Sequence, residues 1–143
     1  MNSTIDKFGY PETLLEGSEH WVVLLRQRQT TLGAIVLACK EEAKSFADVS
    51  PAAFSELKTV VHELETTVRE VFACQKFNYL MLMMVDPHVH FHVLPRYEKT
   101  HSFDGVEFQD ASWPKAPDMQ FTNEVPSKTF TTLLDHLRSK WQK

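Results

Sequence analysis

Seven histidines occur in 143 residues, and three of them stand at alternate positions in His88-Val89-His90-Phe91-His92-Val93-Leu94. Chance placement would give such a triplet in only roughly 2% of comparable chains. In an extended strand, successive side chains point to opposite faces, so the three imidazoles share one face while Val89, Phe91 and Val93 turn to the core. Six ring nitrogens on one half-buried face need partners, which makes a purely structural role costly. Two chemistries fit. Neutral imidazoles two apart could share a cation, with His90 and His92 completed by Glu98 or His101, although the neighbouring Arg96 would disfavour a dication. Alternatively, a neutral imidazole, available because its ordinary pKa lies near 6.5, could attack phosphorus and form a covalent phosphoramidate.

Other signatures narrow the class. There is no Gly-x-Ser-x-Gly, no P-loop and no dinucleotide fingerprint, which removes the common serine hydrolase, kinase-like and Rossmann readings. The net charge of −4 with dispersed Lys and Arg argues against a nucleic-acid partner. A small anionic ligand needs only a few local donors and stays open. The longest apolar stretch, Tyr79 to Val85, is too short to span a bilayer, and the first residues carry no secretory pattern, so a cytoplasmic protein without membrane contact is expected. Cys39 and Cys74 lie far apart without a Cys-x-x-Cys and read as reduced core thiols.

The elements that must position the histidines follow from periodicity. Composition and length, 43% hydrophobic and 24% charged, suit one domain over residues 1–143. The first twenty residues read as an irregular arm or short helix. Trp21–Leu25 and Ile35–Cys39 are paired strands joined by a polar stretch containing Gly33. Ser50-Pro51 caps a helix whose stripe is Phe54, Leu57, Val61, Leu64, Val68 and Val71, with His62 off the stripe in solvent. Phe77–Val85 and His88–Leu94 are further strands, broken at Asp86-Pro87. Residues 97–126 form a long wrapping loop anchored by Phe108 and Trp113. A last helix from about Ser127 aligns Phe130, Leu133, Leu134, Leu137 and Trp141. The fold class is α+β: a mainly antiparallel sheet covered by the long helix.

His88 to Leu94 matches without exception the alternating motif of the histidine triad (HIT) superfamily, and the following Pro95-Arg96 resembles its hydrolase branch. The order of two strands, long helix, strand and triad is also similar over about residues 20–98, as is the later Trp113-Pro114 pair. This resemblance implies a five-stranded HIT-like sheet and a hydrolase or transferase acting at the α-phosphate of a nucleotide derivative, either a dinucleoside polyphosphate or a nucleoside phosphoramidate. It implies His90 as the nucleophile that becomes nucleotidylated, His92 as a hydrogen-bond partner of the reacting phosphate, and His88 as the residue fixing the ring network. It further implies no obligatory metal or other cofactor, and a homodimer whose two sheets join.

Two departures stand out. Where many members have a polar Gly-rich loop, this chain has Leu82-Met83-Met84-Val85-Asp86-Pro87, and Ala34 follows Gly33 where several hydrolases carry a histidine. Replacement phosphate donors are expected from Arg26, Gln29, Thr30 and Thr31 before Gly33, and from Asn78. Phe8, Phe46, Met84 and Trp113 are the candidates for holding a base. The alternatives to hydrolysis are a nucleotide-binding module with little turnover, favoured by the missing loop donors, and a metal-dependent enzyme.

Overall fold

The computed structural model describes residues 1–141. Five strands form one antiparallel sheet: β1 Leu14–Gly17, β2 Trp21–Leu25, β3 Ile35–Cys39, β4 Lys76–Leu80 and β5 His90–Arg96, in spatial order β1-β2-β3-β5-β4. The expected bounds of β2 and β3 hold to the residue, with Trp21 opposite Cys39 and Leu25 opposite Ile35. Every residue of both strands is buried. Continuous apolar runs of this kind are what a sheet covered on two faces requires. One face carries Trp21, Val23, Leu25, Ile35, Leu37 and Val93 beneath the long helix α2, Pro51–Phe72, and the C-terminal helix α3, Ser127–Lys140. The other carries Val22, Leu24, Val36 and Ala38 beneath Ile5 and Phe8, contributed by the short helix α1, Ser3–Lys7, and its cap.

Helix α2 starts where the sequence places it: Ser50 Oγ accepts from the Ala53 N–H at 3.1 Å, ahead of Pro51. Its buried face is displaced from the expected stripe. Ala53, Val60, Leu64, Thr67, Val68 and Phe72 are buried, whereas Phe54 is 39% exposed and leans on the Phe46 ring. The reason is close approach to the sheet, where small side chains fit and Trp21 Nε1–H donates to the Ala53 carbonyl at 2.8 Å. His62 is exposed, as expected. In α3, Leu133, Leu134 and Leu137 are buried, and Phe130 and the C-cap residue Trp141 pack partly buried against the core.

Three expectations are corrected. The first twenty residues contain a strand, β1, besides α1. The segment expected to be strand to Val85 leaves the sheet after Leu80, with Met83 in the left-handed region at φ 46° and Leu82, Met84 and Val85 exposed. The wrapping loop contains a hairpin of β6, His101–Phe103, and β7, Val106–Phe108, turned by Asp104-Gly105, both with positive φ. An Asp-Gly pair between short apolar runs is the signal that identifies such a turn. Phe108 is buried as an anchor and Trp113 is half-buried. Both cysteines are free and buried, and burial pushes the Cys74 thiol up to about 11. Among the described residues, no helix is long and apolar enough to cross a membrane.

Candidate active site

Strand β5 begins at His90, two residues later than expected, and runs on to Arg96. His90 and His92, opposite Ala38 and Val36, therefore share the α1 face of the sheet by strand alternation, with their rings 5.1 Å apart in a T-shaped arrangement. His88 lies outside the strand, in a bend fixed by other bonds. Its Val89 neighbour donates to the Ala43 carbonyl and accepts from the Cys39 N–H. All three histidines are buried, with relative exposures of 5% for His88, 1% for His90 and 6% for His92.

The hydrogen bonds fix which nitrogen of His90 is basic. Nδ1 lies 2.7 Å from the His88 carbonyl oxygen, which can only accept, so Nδ1 carries the proton and Nε2 keeps its lone pair. A neutral imidazole held this way is a nucleophile with a defined reacting atom. At His92, Nδ1 is buried and makes no hydrogen bond to the protein. Burial first, then the Arg26 and His90 charges, bring the His92 pKa down to about 4. His92 is therefore neutral at physiological pH. In the unfolded chain it titrates near 6.5, so below that pH the unfolded state takes up more protons. The associated stability is fully present above about pH 6.5 and is lost as pH falls toward 4. His92→Asn is expected to flatten the acid limb of a melting-temperature profile in that window, and equal slopes for both proteins would count against it.

Phe8 lies over this pair, its ring 5.6 Å from His90 and 5.7 Å from His92. The same ring borders a cavity of about 140 Å³ whose other walls are Lys7, Arg26, Gln27 and Arg28. Arg26 follows β2 on the histidine face. Its Nη1 donates to the Arg28 carbonyl and to Thr30 Oγ1, while its buried Nε makes no hydrogen bond. Burial and the Arg28 charge lower the Arg26 pKa from its ordinary value. Thr31 Oγ1 is likewise buried without a partner. Of the four such orphaned atoms among the described residues, three belong to Arg26, Thr31 and His92. Buried polar atoms are ordinarily bonded, so these three leave hydrogen-bonding capacity unused within the protein.

Other candidates are occupied within the fold. Gln29 accepts from the Gly33 N–H and donates to the Arg26 and Ala34 carbonyls, so its amide shapes the β2–β3 connection, where Gly33 has φ 82°. Asn78 Oδ1 accepts from Arg96 Nη1 at 2.6 Å. Arg96 also grips Asp110 with two bonds of 2.6 and 3.0 Å, reaches the Lys115 carbonyl at 2.8 Å and sits 6.0 Å from the centre of the Trp113 ring. The metal alternative gains no support from this geometry. His101 Nδ1 donates to the Lys99 carbonyl and its ring packs on Tyr97, while Glu98 is exposed. Among the described residues, the group of ligand atoms that converges is Glu19, His20 and Glu56, away from the triad.

Residues missed by the sequence reading are Thr4 and Glu42. The Thr4 hydroxyl lies 2.9 Å from His88 Nδ1, and Glu42 Oε2 lies 2.8 Å from His88 Nε2. Both are remote in sequence, and no local pattern marks them.

Residues 9–99 match the HIT domain family model. No curated protein matches the chain. Among solved structures, it resembles a histidine triad protein from Bradyrhizobium japonicum at 17% identity, covering 99% of this chain and 97% of that one with a TM-score of 0.76. A histidine triad protein from Sinorhizobium meliloti is similar at 14% identity, with coverages of 98% and 95% and a TM-score of 0.75. The diadenosine triphosphate hydrolase of Plasmodium falciparum, solved with cyclomarin A, aligns at 10% identity over 90% of this chain and 76% of that one, with a TM-score of 0.65. With the triad, the five-stranded sheet and the match across residues 9–99 in agreement, the chain belongs to the HIT domain family.

Proposed function

We propose that the protein hydrolyses nucleotide derivatives at the α-phosphate through a covalent nucleotidyl intermediate on His90. The observation that carries this reading is the 2.7 Å bond from His90 Nδ1–H to the His88 carbonyl, which leaves Nε2 as the free nucleophilic atom. Nε2 bonds to the α-phosphorus as the bond to the leaving group breaks. The leaving group departs with the electron pair and gains a proton. Water then bonds to phosphorus, the P–N bond breaks, one proton is lost and the nucleoside monophosphate leaves. His92 and Arg26, with their unbonded Nδ1 and Nε, are the donors we assign to the phosphate oxygens, and the unbonded Thr31 hydroxyl is assigned to the same role. Phe8, whose ring lies 5.6 Å from His90 and borders the cavity, is the base-holding ring in this reading. Gln29 and Asn78 act one step back, by shaping the connection and holding Arg96. No step requires a metal or another cofactor, and no nucleic acid or membrane enters the reading.

The reading extends to a cytoplasmic homodimer. Strand β4 is an edge of the sheet, flanked by a groove of about 740 Å³ lined by Lys76–Leu80, Arg96 and Trp113–Pro117. Pairing two β4 edges would satisfy their open backbone groups and join the sheets.

A second reading, a nucleotide-binding module with little turnover, is favoured by the exposed apolar Leu82, Met84 and Val85 in the loop ahead of the triad. The two separate in a mass-spectrometric assay with an adenosine phosphoramidate and a diadenosine polyphosphate, each with and without EDTA. Release of AMP in EDTA supports the hydrolase. AMP binding without turnover of either compound supports the module, and loss of turnover on chelation would return the metal-dependent alternative.

A further inference from the structure

The bonds around His88 determine more than its position. Thr4 Oγ1 accepts from the His88 backbone N–H at 3.2 Å and lies 2.9 Å from His88 Nδ1. On the other side of the ring, the Glu42 carboxylate only accepts, so Nε2 at 2.8 Å carries the hydrogen. Neutral His88 is therefore the Nε2–H tautomer, whose bare Nδ1 accepts from the Thr4 hydroxyl, opposite to His90, which is the Nδ1–H tautomer. One hydroxyl touches both the ring and the peptide of the residue whose carbonyl holds the nucleophile.

Thr4 is itself held in place. It is buried at 1% exposure on α1, whose N-cap Asn2 accepts from the Ile5 N–H and donates to the Cys39 carbonyl at 2.9 Å and the Glu41 carbonyl at 3.2 Å. The Lys7–Asp86 ion pair, 2.6 Å, ties the far end of the helix to the loop before the triad.

We propose that Thr4 is a positioning residue for the nucleophile: its hydroxyl locks His88 in the Nε2–H tautomer and fixes the His88 peptide, and through that carbonyl it aims His90 Nε2. Thr4 touches no reacting atom and acts only through His88. The claim rests on the hydrolase reading for its kinetic consequence, and not for its tautomer consequence. In catalysis, small misplacement of a reacting atom costs rate far more than affinity. Thr4→Val, which keeps the shape and removes the hydroxyl, is expected to lower kcat roughly tenfold to a hundredfold with KM changed by less than about twofold. Thr4→Ser is expected to restore most of the rate.

The test pairs that kinetic split with imidazole nitrogen spectra of ¹⁵N-histidine-labelled full-length protein. In the wild type, His88 is expected to show a protonated Nε2 and a bare Nδ1, and His90 the reverse. In Thr4→Val, the His88 Nδ1 signal is expected to move toward that of an unbonded or protonated nitrogen. A protonated Nδ1 on wild-type His88, unchanged His88 signals in Thr4→Val, or equal rate loss in the valine and serine variants would each overturn the proposal. Should the wild type turn nothing over, the hydrolase reading falls, while the nitrogen spectra still decide for or against the Thr4 lock.

Discussion

His90→Asn is expected to abolish AMP release from both the phosphoramidate and the diadenosine compound, a loss on the order of 10⁴-fold or more, as for removal of other covalent nucleophiles. The substitution is chosen because Asn keeps a side-chain donor for the His88 carbonyl and so preserves the β5 start, while supplying no basic nitrogen at the Nε2 position. Rapid quenching of the wild type into alkaline denaturant, in which the acid-labile P–N bond survives, is expected to trap protein carrying one nucleotidyl group during turnover, and the same quench of His90→Asn to trap none. AMP binding should survive in the variant, because Arg26, His92 and Phe8 are untouched. Turnover by His90→Asn within about tenfold of wild type would remove His90 from the nucleophile role. A labelled peptide containing another residue would move the role elsewhere.

Asp110→Ala carries the largest expected effect on stability. The Arg96 and Asp110 side chains are 4% and 1% exposed, and two bonds join them. Asp110 also accepts from the Tyr97 N–H at 3.1 Å. Removing the carboxylate strands a buried guanidinium and a backbone donor together. Loss of one partner from such a pair costs about 3–5 kcal/mol, which for a chain of this length lowers the melting temperature by roughly 10 °C or more. Replacing both residues, as in Arg96→Met with Asp110→Leu, is expected to cost less than the single change, since no charge is left unpaired. A shift under about 2 °C in Asp110→Ala would show the pair to be dispensable. Because Arg96 also holds Asn78 and faces Trp113, the same variant reports on whether the β4 edge keeps its shape.

The sequence by itself determined the features that depend on near neighbours. Alternation along one strand puts His90 and His92 on one face, the Ser50-Pro51 pair starts α2, and two apolar runs give β2 and β3 to the residue. These follow from backbone geometry, which acts over a few residues. The Asp104-Gly105 turn belongs to the same class, although residues 97–126 read at first as a loop because its strands are only three residues each. The expected stripe of α2 was offset because periodicity marks apolar positions, and only contact with the sheet selects small Ala53 and Thr67 for the closest approach.

What only the tertiary structure decided lies in bonds between distant segments. That β2 and β3 are covered on both sides follows from where α1 docks, and β1 forms because β2 offers it an open edge. The tautomer of His88 depends on Thr4, 84 positions away, and on Glu42, 46 positions away. The depressed pKa of His92 depends first on its burial and then on Arg26, two strands across the sheet. Side-chain type and spacing can announce three imidazoles at alternate positions, two of them on one face of a strand. Which nitrogen carries each proton is set by the partner it meets after folding, and that partner is chosen by packing, not by sequence proximity.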